Sequence, residues 1–164
     1  MSNASPRTAL IAGATRGIGR EVARQLHAAG FRVFVTGRDA ALLETLQREL
    51  GCPGQIADLS RADAVIGLFA AARQTLGQVD VLANNAGFNR AKVPITTVTA
   101  EELDDSYAVN IRAPILLARE ALKDMGPRRS GHIVNVISSV VHTTAENYSV
   151  YSTMKYALRG SRVA

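Results

Sequence analysis

The sequence predicts an α/β protein with a doubly wound parallel sheet, formed by a single domain over residues 1–164. Three observations support this fold class. Short apolar runs alternate with segments of helical periodicity, the runs are rich in Ala, Val, Leu and Ile, and 47% of the residues are apolar while 20% are charged. Strands that alternate with helices form βαβ units, whose right-handed crossovers build a parallel sheet covered on both faces.

The first two strand–helix units are the most regular. The predicted strands are residues 8–13 and 31–36, and the predicted helices are residues 17–29 and 39–51. Ile18, Val22 and Leu26 recur at four-residue steps, which predicts one apolar face on the first helix. Asp39 stands where an N-cap is expected, so we predict that it caps the second helix.

The alternation continues to the end of the chain. The remaining predicted strands are residues 55–57, 79–83 and 132–137, and the remaining predicted helices are residues 60–76, 99–125 and 148–164. Ser60 with Asp63 resembles a capping pair, and Thr99 with Glu102 forms a capping-box pattern. Pro114 lies inside the long fourth helix and is expected to kink it.

Composition and charge argue against several function classes. The net charge is +5, but no basic stripe is interleaved with aromatic residues, so no nucleic-acid partner is predicted. No apolar run reaches the length of a membrane span, and the N-terminus lacks the apolar stretch of a signal peptide, which predicts a cytoplasmic protein with no membrane partner. Cys52 is the only cysteine, and His132 and His142 have no spaced ligands nearby, so neither a disulfide nor a metal site is predicted.

A glycine-rich turn joins the first strand to the first helix. Residues 13–19 read Gly-Ala-Thr-Arg-Gly-Ile-Gly. Gly13 permits the tight turn, Gly17 lets the backbone approach a phosphate, and Gly19 lets helix and strand pack closely. Free N–H groups and the positive dipole at the helix start attract a pyrophosphate. The turn therefore predicts a dinucleotide site, and the alternative is a plain structural turn.

Two arginines favour NADP(H) over NAD(H). A site for NAD(H) usually has an acid at the end of the second strand, where it binds the ribose hydroxyls. Arg38 stands at that place, and Arg16 lies inside the glycine turn. Two guanidinium groups bind a 2′-phosphate through charge-assisted hydrogen bonds. Asp39 could reach a ribose instead, but we interpret it as the helix cap.

The pair Tyr151 and Lys155, together with the glycine turn, predicts the catalytic centre, and the alternative is that a common Tyr-x-x-x-Lys spacing occurs here by chance. Residues four apart on a helix share a face. An ammonium beside a phenol stabilises the phenolate, so the phenol gives up its proton more readily. In a reduction, Tyr151 would donate that proton to the carbonyl oxygen as hydride arrives at the carbonyl carbon.

Taken together, these motifs resemble the short-chain dehydrogenase/reductase family from Thr8 to about Gly160. The resemblance depends on the G-x-x-x-G-x-G spacing, on the run N-N-A-G at residues 84–87, and on the Tyr-x-x-x-Lys pair. The overall pattern is similar to 3-oxoacyl-[acyl-carrier-protein] reductases. Ala12 is a small departure, because the family often has Thr before the first glycine.

The resemblance implies further site residues. Ser138 would bind the substrate carbonyl, since it lies thirteen residues before the tyrosine, although the double-serine pattern would select Ser139. The Asn110 backbone carbonyl would hold a water that links Lys155 to solvent. Asp58 would bind the adenine amino group, and Lys155 would also hold the nicotinamide ribose. The predicted cofactor contacts are Gly13, Thr15, Arg16, Gly17, Ile18, Gly19, Arg38, Asp58, Leu59, Asn84, Asn85, Gly87, Tyr151 and Lys155.

The resemblance also implies an activity. We expect an NADP(H)-dependent oxidoreductase acting on a small carbonyl or alcohol, or on an acyl-carrier substrate, and a dimer or tetramer in the full-length form. Members of the family are about half as long again, with two more strands and a substrate-binding lid. We therefore expect a chain that is cut short, with weak or no turnover, and the alternative is an inactive dinucleotide-binding fragment.

Overall fold

The computed structural model describes residues 5–89, 93–143 and 146–161. The strands are β1 (Thr8–Ala12), β2 (Arg32–Gly37), β3 (Gly54–Ile56), β4 (Val81–Asn84) and β5 (His132–Asn135). The α-helices are α1 (Gly17–Ala28), α2 (Ala40–Leu50), α3 (Ala62–Leu76), α4 (Ala100–Tyr107), α5 (Ala113–Arg128) and α6 (Ser149–Gly160). All strand pairs are parallel, in the order β3-β2-β1-β4-β5, which confirms the predicted doubly wound sheet.

Helices cover both faces of the sheet. On one face, α1 and α2 pack against β1 and β2 through an apolar cluster that contains Ala23, Leu43 and Leu46. On the other face, α3 and α5 pack against β1 and β4 through a larger cluster that contains Leu68 and Leu117. Because β1 and β4 are buried on both sides, they consist of nearly continuous apolar residues, as parallel strands require.

The direction of the chain through the sheet reverses beside β1. From β1 the chain moves to β2 and β3 on one side, and it then returns to β4 and β5 on the other side. At such a switch point the loops that follow the two central strands diverge, which leaves a crevice at the carboxyl ends of the strands.

Two of the three predicted helix caps are confirmed. Asp39 caps α2 by accepting a hydrogen bond from the N–H of Leu42 at 3.1 Å. Thr99 and Glu102 form the reciprocal capping box at the start of α4.

The predicted capping pair of Ser60 and Asp63 is wrong. The N-cap of α3 is Arg61, whose side chain makes no cap hydrogen bond. The Ser60 hydroxyl donates to Asp58 at 2.8 Å, while Asp63 accepts from Arg61 at 2.7 Å. The Ser60 hydroxyl is therefore engaged by Asp58 and does not cap α3.

The long fourth helix is interrupted by a π-helical turn over Ala108–Arg112, which separates α4 from α5. Pro114 has no N–H to donate to the carbonyl four residues earlier, so the regular α-helical pattern cannot continue through this point. The N–H of Ala113 instead reaches back five residues to the carbonyl of Ala108. Where the sequence predicted a kink at Pro114, the structure has a wider π-helical turn that ends two residues before the proline.

The last strand and helix differ slightly from their predicted bounds. β5 ends at Asn135, two residues earlier than predicted, although the N–H of Val136 still donates to the carbonyl of Asn84 at 2.9 Å. α6 begins at Ser149, one residue later than predicted, and its expected continuation through residues 162–164 lies outside the described residues. Within the described ranges, no helix has both the length and the apolar character needed to cross a membrane.

Candidate active site

A cleft of about 440 Å³ lies at the carboxyl ends of the strands. It is bounded by the loops that follow the strands of the sheet and by one side of α6. Ten predicted site residues line this cleft: Gly13, Thr15, Arg16, Ile18, Arg38, Leu59, Asn85, Gly87, Tyr151 and Lys155.

The glycine turn packs directly against the loop after β4. A side chain at Gly13 would bring its Cβ to 2.7 Å from the Cα of Ala86. A Cβ at Gly19 would lie 2.1 Å from the carbonyl oxygen of Gly13 and 2.3 Å from the amide nitrogen of Asn85. That same amide donates to the Gly13 carbonyl at 2.8 Å. Glycine is therefore required at both positions, because only then can the glycine turn and the loop after β4 form one wall of the cleft.

The first turn of α1 has no side-chain cap. Arg16 occupies the N-cap position without a cap hydrogen bond, and the first turn contains no acidic residue. Of the other helices, α2 and α4 begin with side-chain caps at Asp39 and Thr99, whereas α3 and α6 resemble α1 in having none. The free N–H groups of α1 lie beside cleft residues and can bind an anion. Gly17, at the start of this turn, is exposed but does not line the cleft.

Arg16 and Arg38 place two positive charges at one end of the cleft. Both side chains are exposed, and neither forms an ion pair with any residue that the structure describes. Asp39 also lines the cleft, although the sequence favoured its capping role over a contact with a ribose. The cleft lining therefore carries two guanidinium groups and one carboxylate, and that carboxylate also accepts a hydrogen bond from the backbone of α2.

Ile18 has a different environment from the one that its periodicity predicts. Val22 and Leu26 pack against the apolar core, but Ile18 is 64% exposed and lines the cleft. The predicted apolar face of α1 is therefore wrong at its first position. The reason is that α1 begins beyond the edge of the sheet, where no strand residue covers the side chain.

The loop after β3 supplies another wall of the cleft. Leu59 is buried and lines the cleft, whereas Asp58 is exposed and lies outside the lining. The Asp58 carboxylate accepts hydrogen bonds from the N–H of Ser60 at 3.0 Å and from its hydroxyl at 2.8 Å. These bonds, with a smaller effect of the Arg38 charge, lower the pKa of the Asp58 carboxyl.

Tyr151 and Lys155 lie on the cleft side of α6. The ammonium nitrogen of Lys155 is 5.7 Å from the centre of the Tyr151 ring. Lys155 is only 2% exposed, and its ammonium donates to the backbone carbonyl of Val136 at 2.9 Å. Burial lowers the pKa of Lys155, because removal from water disfavours the charged form. The predicted pair thus shares one side of its helix and faces the glycine-lined crevice.

Asn110 is buried beneath the cleft and does not line it. Its amide nitrogen donates to the backbone carbonyls of Phe88 at 2.8 Å and Ser106 at 2.9 Å. Its amide oxygen accepts from the N–H of Phe88 at 3.2 Å. The side chain therefore fixes the β4 loop to the π-helical turn, next to Gly87 in the cleft wall.

Asn84 lies at the carboxyl end of β4 and is also buried. Its amide nitrogen donates to the amide oxygen of Asn135, its register partner on β5, at 2.9 Å. Its own amide oxygen is buried without a hydrogen-bond partner among the described residues. The side chain joins two strands below the cleft and has no contact with the cleft surface.

Comparison with known proteins agrees with this geometry. The family model described as short chain dehydrogenase matches residues 7–162, which is nearly the whole chain. The chain belongs to the short-chain dehydrogenase family. The resemblance predicted from the glycine turn, the N-N-A-G run and the Tyr–Lys pair is thereby confirmed.

The relatives are reductases and dehydrogenases of several kinds. L-xylulose reductase of Bos taurus is 38% identical over 159 residues, which cover 93% of this chain and 61% of the relative. Gluconate 5-dehydrogenase of Gluconobacter oxydans is 31% identical, with 92% and 60% covered. The chain therefore spans about three fifths of the length of these relatives.

Solved structures of the family share the fold closely. A metagenomic short-chain oxidoreductase in complex with NADP superimposes with a TM-score of 0.89 at 34% identity, covering 94% of this chain and 72% of the other. The F189W actinorhodin polyketide ketoreductase with NADPH gives a TM-score of 0.89 at 32% identity, covering 94% and 62%.

The serine expected in family members is less clearly placed than the Tyr–Lys pair. Ser138 is half-buried, and its hydroxyl accepts a weak hydrogen bond from the N–H of Val140 at 3.4 Å. Ser139 is exposed and begins a short 3₁₀ turn over Ser139–Val141. Neither serine lines the cleft, so the choice between them stays a prediction.

Several cleft residues were not predicted from the sequence. They are Thr36, Gly37, Asp39, Ala57, Ala86, Phe88, Asn89, Val109, Val136 and Ile137. Four of them lie at the ends of predicted strands and five lie in the loops that follow, so position at a carboxyl strand end was the available signal. Val136 shares that position, but its role as acceptor for Lys155 had no signal in its residue type, because any residue supplies a backbone carbonyl. Within the described ranges, no group of His, Cys, Asp or Glu could hold a metal ion.

Proposed function

We propose that this protein transfers hydride between NADP(H) and a carbonyl or alcohol substrate, with Tyr151 as the proton donor and acceptor. The observation that carries the proposal is the position of the Tyr151–Lys155 pair in the same cleft as the glycine turn and two arginines that have no ion-pair partner among the residues that the structure describes. A reaction centre and a site for a phosphorylated dinucleotide thus occupy one crevice.

The residues present fit NADP(H). Gly13 and Gly19 leave no room for a side chain, so the backbone forms a close cradle beside the uncapped start of α1. Such a helix start suits a pyrophosphate. Arg16 and Arg38 would bind a 2′-phosphate, and Leu59 and Ile18 would supply apolar contacts along the cleft.

When bound, the reduced nicotinamide supplies the hydride that reaches the carbonyl carbon. Tyr151 gives its proton to the carbonyl oxygen as negative charge develops there. The buried ammonium of Lys155 stabilises the phenolate that remains, and this attraction is stronger in a partly desolvated cleft than in water. Val136 holds the ammonium in place through its carbonyl. Ser138 would orient the substrate carbonyl, and Asn110 would keep the cleft wall rigid.

The substrate class and the assembly are further parts of the proposal. Relatives are named for a ketose, a sugar acid and a polyketide, so we propose a carbonyl substrate and include a thioester-linked 3-oxoacyl group among those to test. Exposed apolar side chains on α4, α5 and α6 support a homo-oligomer. They are Leu103, Tyr107, Ile115, Leu122 and Tyr156.

The test of the cofactor assignment is a fluorescence titration with NADPH and with NADH. We expect NADPH to bind more tightly, and Arg38→Ala to raise the Kd for NADPH about tenfold while that for NADH changes less than about threefold. Arg48→Ala, on the exposed side of α2, is the matched control. An equal rise in the Kd values for NADPH and NADH in Arg38→Ala would contradict the proposal.

Turnover distinguishes an enzyme from a binding protein. NADPH oxidation is followed with ketones, ketoses and a 3-oxoacyl thioester. Consumption of NADPH with any of these substrates supports the proposed reaction. Tight NADPH binding without turnover favours the alternative function, a dinucleotide-binding protein without activity.

A further inference from the structure

Arg112 connects the π-helical turn to a distant loop. It is the last residue of that turn and is half-buried. Its guanidinium donates a hydrogen bond to the backbone carbonyl of Ser60, which lies 52 residues earlier in the chain. This carbonyl precedes the N-cap of α3, and the first helical N–H, from Val65, goes to the carbonyl of Arg61. Arg112 is thus the partner that satisfies the Ser60 carbonyl.

The loop that Arg112 holds is part of the cleft wall. We define the β3 loop as residues 57–60, directly after β3. Ala57 and Leu59 are buried and line the cleft, and the N–H of Ala57 donates to the carbonyl of Gly37 at 3.2 Å. Ser60 closes the loop by donating its N–H and hydroxyl to Asp58. The shape of this wall therefore depends on where Ser60 is held.

The same π-helical turn supports two walls of the cleft. Asn110 binds the backbone of Phe88 and so fixes the loop after β4, near the Tyr151–Lys155 pair. Arg112, two residues later, fixes the β3 loop at the other side of the sheet. The extra residue in the turn changes the direction in which the following side chains leave the helix.

We propose that Arg112 is a positioning residue for the adenosine half of the cofactor. It does not line the cleft, and it acts by holding the β3 loop in the conformation that the bound state requires. The inference rests on the proposed NADP(H) function. Without Arg112 the Ser60 carbonyl loses its charged donor. The ligand must then order the β3 loop as it binds, and the free energy spent on that ordering lowers the affinity.

The experiment compares three ligands in Arg112→Met. NADPH contains both halves of the cofactor, 2′,5′-ADP contains the adenosine half, and reduced nicotinamide mononucleotide contains the other half. We expect the Kd values for NADPH and 2′,5′-ADP to rise by about the same factor, roughly tenfold, because one charge-assisted hydrogen bond is lost. The Kd for the mononucleotide should stay within about twofold. Competition against NADPH fluorescence measures the 2′,5′-ADP affinity.

Two further variants make the test specific. Arg119→Met makes the same change on the exposed side of α5 and should leave every affinity unchanged. Arg112→Lys keeps a charged donor, so its Kd values for NADPH and 2′,5′-ADP should lie between those of the unchanged protein and those of Arg112→Met. If Arg112→Met folds poorly, the comparison of Arg112→Lys with the unchanged protein carries the test. Equal weakening of all three ligands, or no weakening in either variant, overturns the inference. Failure of the unchanged protein to bind NADPH would refute the proposed function instead.

Discussion

The two edges of the one sheet use their charged residues in different ways. At the amino edge, below the starts of β1 and β4, Asp80 accepts hydrogen bonds from the N–H of Thr8 at 2.9 Å and from Gln78 and Arg128. Asp124 accepts from Arg73, Arg128 and the N–H of Val79. At the carboxyl edge, Arg16 and Arg38 have no ion-pair partner among the described residues, and the amide oxygen of Asn84 is buried without a partner.

This difference separates charges that hold the fold from charges that remain available to a ligand. Buried carboxylates are tolerated when hydrogen bonds and opposite charges replace water, which is the situation of Asp80 and Asp124. Exposed guanidinium groups beside an uncapped helix start add little to stability. Changes at the amino edge should therefore affect unfolding, and changes at the carboxyl edge should affect binding and turnover.

The largest effect is expected from Tyr151→Phe. Removal of the hydroxyl eliminates the proton donor, and general acid–base catalysis contributes about 10²–10⁴-fold to a rate. NADPH oxidation with a substrate that the unchanged protein reduces should fall by at least about 100-fold, while the Kd for NADPH stays within about threefold. Tyr156→Phe, five residues further on α6 and half-exposed, is the matched control. Ordinary turnover in Tyr151→Phe would refute the assigned role.

The next effect is on stability. Asp80→Asn removes the charge that faces Arg128 and leaves an amide that can no longer accept from every donor around it. The free energy of unfolding should fall by about 2–3 kcal/mol in urea titrations. The Kd for NADPH should not change, since Asp80 lies at the opposite edge from the cleft. Asp104→Asn, exposed on α4, should change neither quantity. Loss of NADPH affinity in Asp80→Asn would show that the two edges are coupled.

Acid should weaken the amino edge. Burial alone would raise the pKa values of the Asp80 and Asp124 carboxyls, but hydrogen bonds from N–H and guanidinium groups outweigh burial and lower both values. Their contribution is therefore present above the ordinary carboxyl pKa and is lost as the pH falls below about 4. The difference in unfolding free energy between the unchanged protein and Asp80→Asn should shrink between pH 5 and about pH 3. If this difference in unfolding free energy stays constant with pH, the charge of Asp80 does not contribute to stability.

The sequence predicted features that depend on neighbouring residues and missed those that depend on distant ones. The strands, the Asp39 cap and the Thr99–Glu102 box follow from local patterns, and all are observed. The Ser60–Asp63 pair failed because nearby side chains compete for the same groups.

Other features require the assembled fold. Ile18 is exposed because no strand reaches its end of α1. The hydrogen bonds of Lys155 to Val136 and of Arg112 to Ser60 join residues 19 and 52 positions apart. In both bonds the acceptor is a backbone carbonyl, which carries no sequence signal. Motifs could therefore identify the reacting pair but could not identify what holds it.

The smallest and most specific effect concerns Asp39, where the two roles meet in one side chain. Its carboxylate caps α2, yet it also lines the cleft beside Arg38. Asn caps helices as well as Asp does, so Asp39→Asn should leave the free energy of unfolding within about 0.5 kcal/mol. The change removes a negative charge near the expected 2′-phosphate, so the Kd for NADPH should fall about two- to fivefold, and more at low salt than at high salt. If NADH affinity falls sharply instead, Asp39 binds the ribose hydroxyls and the preference for the phosphorylated cofactor depends on the arginines alone.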